Sequence, residues 1–300
     1  MRRNDEGRVV LASYGQVTGF AVDPIEKKPL NHFYPGSQIL SFGSIGCNLA
    51  CRFCQNASTA QSRNFSLLSQ PVRPEEIVQI AEKHNCIGVA FTYNEPIISL
   101  EYVLDVAAAC RENHLKTVAV SNGYIAEKFR STFFAAMDAA NIDLKSFSEE
   151  FYQKYCSATL QPVLETLKYL AQSSTLLEIT TLLIPSLNDS EKEITALCCW
   201  LRDNIGQDVP VHFSAFHPAN RLLDLSPTPP ETLLTARQIA LAAGLRYVYT
   251  GNIFNPEGET TFCPRCGQAV ISRNRCRITD YRLDKSGHCT FCGNTIYGCF

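Results

Sequence analysis

Gly46-Cys47-Asn48-Leu49-Ala50-Cys51-Arg52-Phe53-Cys54 sets three thiols in a Cys-x3-Cys-x2-Cys run. It follows an apolar stretch, Ile39–Gly43, that reads as a strand. Three close thiolates on one loop can hold three irons of a cubane cluster, whereas a [4Fe-4S] cluster normally takes four cysteines. With no fourth Cys nearby, one iron would stay open as a site for substrate or cofactor. A three-Cys zinc site with an open position is the rival reading.

Downstream of this run the chain alternates. Strand-like apolar runs at Ile87–Thr92, Lys116–Ser121, Ile142–Lys145, Leu176–Ile184, Val211–Phe216 and Arg246–Thr250 are separated by helix-like stretches. Those helices are expected at Pro74–His84, Ile98–Asn113, Ala126–Ala139, Glu149–Tyr155 with Pro162–Ala171, Asp189–Asn204 and Pro230–Ala243. Repeated βα units argue for an α/β fold with a parallel sheet and outer helices. A partial (βα) TIM-like barrel and a doubly wound open sheet both fit that pattern. The chain divides into 1–35, an N-terminal extension packing on the barrel, 36–255, the barrel core, and 256–300, a cysteine module. Within the extension, Val9–Ala12 and Gly19–Val22 read as a hairpin.

The chain has 300 residues, 45% hydrophobic and 19% charged, which excludes a largely disordered polymer. The net charge of −2 gives no signal for nucleic acid. No apolar run approaches the ~18 residues of a membrane span, and the charged N-terminus is a poor signal peptide. A cytoplasmic protein is expected. In a reducing compartment its 14 cysteines read as metal ligands or catalytic groups before disulfides. Cys86, Cys110, Cys156, Cys198 and Cys199 are scattered and read as small buried hydrophobes.

The triple cysteine after the first strand of a (βα) barrel resembles the radical S-adenosylmethionine (SAM) superfamily. That resemblance implies that Cys47, Cys51 and Cys54 bind a [4Fe-4S] cluster whose open iron is chelated by SAM. It implies reductive cleavage of SAM to a 5′-deoxyadenosyl radical that abstracts hydrogen from a substrate, with an external electron donor. Phe53 and Gln55, within and just after the run, are carried along as candidate cofactor contacts. Other strand ends agree, and barrels place their working residues there. Thr92-Tyr93-Asn94-Glu95-Pro96 resembles the motif that meets the SAM amino group, implicating Asn94 and Glu95. Ser121-Asn122-Gly123 resembles a turn of activating enzymes near the SAM ribose. Asp143-Leu144-Lys145 recurs on the SAM-binding strand of glycyl-radical activating enzymes. Asp143 and Lys145 share one face of a strand, so burial there requires a partner or ligand. His217 matches a His near adenosine. The family's Arg early in strand five is replaced by Thr180 or Thr181.

The pattern is closer still to the radical SAM component of the AmmeMemoRadiSam system, which is pyruvate formate-lyase activating enzyme-like. Its marks include Cys54-Gln55-Asn56, Tyr93-Asn94-Glu95-Pro96 and Tyr247-Val248-Tyr249-Thr250-Gly251-Asn252. The resemblance implies Memo-like and AMMECR1-like proteins as partners. A glycyl-radical-enzyme activating enzyme is the alternative function. A non-enzymatic iron–sulfur redox sensor or metal-binding scaffold is the alternative from another class.

The last stretch carries Cys263-Pro264-Arg265-Cys266-Gly267 and Cys289-Thr290-Phe291-Cys292-Gly293. Each turn aims two sulfurs at one point, and together they make a tetrahedral four-sulfur site of the zinc-ribbon or rubredoxin type, for Zn or Fe. Cys276 and Cys299 have no evident partner. One prediction follows: Cys54→Ala abolishes assembly of the iron–sulfur cluster while the C-terminal metal stays bound. Metal and sulfide analysis checks it, and full iron in the variant contradicts the ligand assignment.

Overall fold

The computed structural model describes residues 2–62 and 68–300. A short hairpin, β1 (Arg2–Asp5) with β2 (Arg8–Leu11), stands apart at the N-terminus. The main sheet draws on β3 (Gln16–Pro24), β4 (Gln38–Gly43), β5 (Gln70–Pro71), β6 (Gly88–Phe91), β7 (Lys116–Ser121), β8 (Ala139–Asp143), β9 (Leu176–Leu183), β10 (Val211–Ala215) and β11 (Val248–Gly251). Its order is β11-β10-β9-β8-β7-β6-β4-β3-β5. Strands β4 and β6 to β11 are all parallel, and β3 lies antiparallel on β4. Helices connect the parallel strands, as parallel pairing requires. β11 hydrogen-bonds only to β10, so the barrel is open on one side among the described residues.

Alternation along the strands separates two environments. Phe42, Phe91, Ala119, Ile142, Ile179 and Phe213 belong to the large apolar core beneath the helices. Ile39, Ala90, Val118, Ala139 and Leu176 point the other way and meet Ile25, Leu30 and Phe33. The β3–β4 connection therefore crosses the barrel interior as a floor. It is anchored through Glu178, a fully buried carboxylate that accepts from Asn31 N (3.0 Å) and His32 N (2.7 Å). Asn141 Nδ2 adds a bond to Pro29 O at 2.8 Å.

The last residues form a separate sheet, β12 (Thr261–Phe262), β13 (Ala269–Asn274) and β14 (Arg277–Tyr281). It seats on that floor. Cys299 pairs with Phe33, giving Tyr34 N–Cys299 O at 2.7 Å and Cys299 N–His32 O at 2.8 Å. A Cβ on Gly298 would come within 2.6 Å of His32 O, so glycine is required at this close approach. Arg273, buried at 4% exposure, donates to Asn31 O (2.7 Å) and Thr261 Oγ1 (2.9 Å). Cys299 is thus placed by its backbone, and its half-buried thiol stays free.

Three expectations need correction. Val9–Ala12 does not pair with Gly19–Val22: β2 folds back on β1 through Glu6-Gly7, both at positive φ, and β3 enters the main sheet. The helix expected to run to Ala139 covers only Glu127–Phe134, and β8 begins at Ala139. Alanine's helix propensity is overridden where small side chains must fit inside the barrel. β8 ends at Asp143, so Lys145 lies just beyond the strand. Among the described residues, no helix is long and apolar enough to cross a membrane.

Burial depresses His32 to a pKa of about 4. Its Nδ1–H donates to Tyr297 O, and Nε2 accepts from Tyr249 Oη at 2.6 Å, so the neutral ring fits and a second proton does not. The unfolded chain binds this proton below about pH 6.5 and the folded chain only near pH 4. Stability should fall by up to about 3 kcal/mol as pH drops through that window. Denaturant titrations of the protein and His32→Gln between pH 4 and 7 check this, the variant showing the shallower pH slope.

Candidate functional site

The cysteine run is irregular backbone, and its hydrogen bonds come from elsewhere. Ala50 N bonds Cys156 O (3.0 Å) and Arg52 N bonds Tyr155 O (2.8 Å), in the π-turn at Tyr152–Cys156. Asn94, past the end of β6, gives its amide to Gly46 O (2.7 Å) and Ser44 Oγ (2.8 Å) and accepts from Ser44 N (3.0 Å). Asn122, past the end of β7, donates to Asn48 Oδ1 (2.8 Å) and lies 3.7 Å from Cys47 Sγ. Strand ends thus clamp the loop.

Cys47, Cys51 and Cys54 all face one cavity of about 340 Å³ at the C-terminal ends of the parallel strands. Phe53, Gln55, Asn94, Glu95, Asn122, Asp143 and Lys145 share its wall. Ser121 and His217 do not. Ser121 is buried behind Glu95, donating to it at 2.9 Å, and His217 is exposed outside the cavity. Glu95 is fully engaged: it caps the turn after β6 through Ile97 N (3.1 Å) and accepts from Asn122 N (2.7 Å). Burial raises its pKa to about 7.

Lys145 Nζ meets Asp143 Oδ2 at 3.0 Å. Burial works to lower the pKa of Lys145, but Asp143 and the thiols Cys51 and Cys156 outweigh it and hold the ammonium charged. A permanent cation therefore stands among the cysteines. Burial also pushes Cys47 up to about 12 and raises Cys54. Contact with the Cys156 thiol, the largest influence, lowers Cys51 to about 7.

Several wall residues were not among the site residues expected from the sequence. Lys27 and Lys28 arrive from the β3–β4 connection, where Lys28 is held by Asp23 at 2.9 Å. Ser214 and Asn252 come from the β10 and β11 side. Thr180 lines the cavity with a buried Oγ1 that has no hydrogen-bond partner among the described residues. A buried hydroxyl left unpaired is costly unless a ligand completes it.

The two cysteine groups differ in spacing. Cys263 and Cys292 sulfurs lie 3.6 Å apart and Cys266 and Cys289 sulfurs 3.8 Å apart, all four within 4.8 Å. Bonds of about 2.3 Å to one tetrahedral ion demand sulfur separations near these. Gly267 and Gly293, at φ of 72° and 71°, let each Cys turn close. Cys47, Cys51 and Cys54 are not drawn together in this way. Three thiols spread around one cavity suit a multi-iron cluster better than a single zinc. They and the unpaired Thr180 hydroxyl fit a cluster with a bound polar ligand.

Comparison with known proteins agrees. Residues 43–198 match the family model described as the radical SAM superfamily. An uncharacterized protein of Methanocaldococcus jannaschii is 41% identical over 98% of this chain and 88% of its own length. The pyruvate formate-lyase 1-activating enzyme of Escherichia coli is 24% identical over 56% of this chain and 70% of its own length. Among solved structures, a radical SAM methyltransferase from Sphaerobacter thermophilus superposes with a TM-score of 0.57 at 15% identity, over 79% of this chain and 71% of that one. That likeness concerns the fold alone.

Asn94→Ala removes three hydrogen bonds from the cysteine loop, at about 1 kcal/mol each. The expected outcome is a lower thermal midpoint and iron content reduced several-fold after reconstitution, with C-terminal metal unchanged. Colorimetric iron and sulfide assays check it.

Proposed function

This chain belongs to the radical SAM superfamily, and on that premise we propose that it cleaves SAM reductively and uses the product radical to abstract hydrogen from a substrate. One observation carries the reading. A single strand-end cavity gathers three spread cysteines, a half-buried Asp–Lys pair and an unpaired hydroxyl. Cys47, Cys51 and Cys54 would hold a [4Fe-4S] cluster, and Asn94, Asp143, Lys145, Thr180 and Ser214 would line the place of SAM. When bound, those two groups supply one-electron cleavage of the sulfonium to a 5′-deoxyadenosyl radical.

The chain's own residues bind, orient and exclude water. Lys145 offsets thiolate charge beside the cluster position. Asn94 and Asn122 fix the loop before anything is bound. Phe53, at 4% exposure, and Leu49 keep the wall apolar and limit access of water. Electrons come from an external donor.

The C-terminal four-cysteine site is read as zinc that holds the small module folded, since a unit of this size lacks a sufficient core. Rubredoxin-type iron would show itself by visible absorbance. The names of the activating-enzyme relatives support a second reading, with a protein glycine as hydrogen donor. Memo-like and AMMECR1-like partners and a cytoplasmic setting rest on resemblance.

The test is 5′-deoxyadenosine release by anaerobically reconstituted protein given SAM and a strong reductant. Release that needs both the reductant and Cys54 is expected. A full cluster complement without release, across SAM concentrations and donors, would overturn the proposal.

A further inference from the structure

A second cavity, of about 510 Å³, adjoins the first, with Lys27 and Asn252 in both walls. Its volume falls in the range of small-molecule sites. Three distant parts of the chain enclose it: β10 and β11, the β3–β4 connection, and the β13–β14 turn with Arg275 and Cys276.

The wall holds two carboxylates, Glu26, ion-paired with Arg273, and Glu259, which accepts from Arg275 N, and beside them an imidazole with one ring nitrogen open to a ligand. His212 is 6% exposed and lines the cavity. Its Nε2 bonds Glu178 Oε2 at 2.6 Å, and its ring stacks on Tyr249 with centroids 5.0 Å apart. Glu178 already accepts two backbone N–H groups, so it acts as acceptor and Nε2 carries the proton. Nδ1 is the ring nitrogen left open to the cavity, an acceptor in the neutral imidazole, and no described residue bonds to it. At the rim, the exposed guanidinium of Arg275 has no ion pair among the described residues. Lys27 keeps 56% of its side chain exposed although Asp23 lies 3.0 Å away.

We propose that this cavity is the substrate chamber and takes a small anionic molecule. A hydroxyl or N–H of that molecule donates to His212 Nδ1, and its anionic group faces Lys27 and Arg275. The proposal rests on the radical SAM reading above and narrows its substrate to a small molecule. Glu178 is a positioning residue that sets the His212 tautomer. The junction at Lys27 and Asn252 puts the occupant's near end beside the SAM position.

The probe is an anaerobic extract of the source organism, split into a sub-kilodalton filtrate and a macromolecular retentate. The filtrate is divided further on an anion exchanger. Each is added to holoenzyme with SAM and reductant, and 5′-deoxyadenosine release is referred to the same protein's rate without additive. The exchanger-bound filtrate should stimulate several-fold. His212→Gln should lose at least tenfold of that stimulation. Cys276→Phe, which fills the chamber from an exposed turn, should lose it too. Nitrogen-15 NMR of the holoenzyme should show His212 with Nδ1 unprotonated, and Glu178→Gln should lose that single tautomer. Stimulation by the retentate alone, by the unbound filtrate alone or by no fraction overturns the chamber. So does undiminished stimulation in both His212→Gln and Cys276→Phe. Absence of release without any additive strikes the radical SAM reading instead, so the two failures are distinguishable.

Discussion

A loop without helix or strand can hold three thiols in place only if other elements supply its hydrogen bonds. Here the ends of β6 and β7 do so. Asn94 takes up Gly46 and Ser44, Asn122 takes up Asn48, and Glu95 ties the two strand ends together through Asn122 N. The parallel sheet puts those ends side by side, so the fold is what makes the cysteine geometry reproducible. The same arrangement explains why Glu95 and Asn94, which a motif resemblance assigns to SAM, first serve the loop. Their polar atoms are already engaged, whereas the Thr180 and Ser214 hydroxyls in the same cavity make no hydrogen bond to a described residue.

A second node, Glu178, joins parts far apart in sequence. It holds the floor of the barrel by two backbone amides and fixes His212. Through His32 and Tyr249 the network continues to Thr261 (2.7 Å from Tyr249 Oη) and on to Arg273. A buried carboxylate is tolerable because every contact is a donor. The network ties the four-cysteine module to the floor of the barrel, so a segment far in sequence from the cysteine loop walls the cavity that holds His212.

Much of this was legible in the sequence, for identifiable reasons. Apolar runs marked the parallel strands because such strands are buried on both faces. Cys spacing marked both cysteine groups, and Asp143 and Lys145 do pair, although Lys145 lies just beyond the strand that was to set their shared face. What failed was long-range. The helix reads on to Ala139, and the strand starts only at Ile142, because nothing local says that Ala139–Asn141 will be squeezed inside a barrel. The N-terminal stretch pairs with itself and with β4, a choice set by tertiary register. His217 stood out by resemblance, yet the backbone turns it to solvent, while His212, two residues before Ser214 on the same face, points inward. Lys27 and Lys28 reach the cavity from a connection whose path only the assembled floor determines.

The most direct measurement is electron paramagnetic resonance, with electron–nuclear double resonance, of the reduced cluster before and after addition of SAM labelled with nitrogen-15 at its amino group and oxygen-17 at its carboxylate. The account predicts a changed signal with hyperfine coupling to both labels, because three cysteines leave one iron open for SAM. A full cluster whose signal stays unchanged and uncoupled at saturating SAM would contradict it.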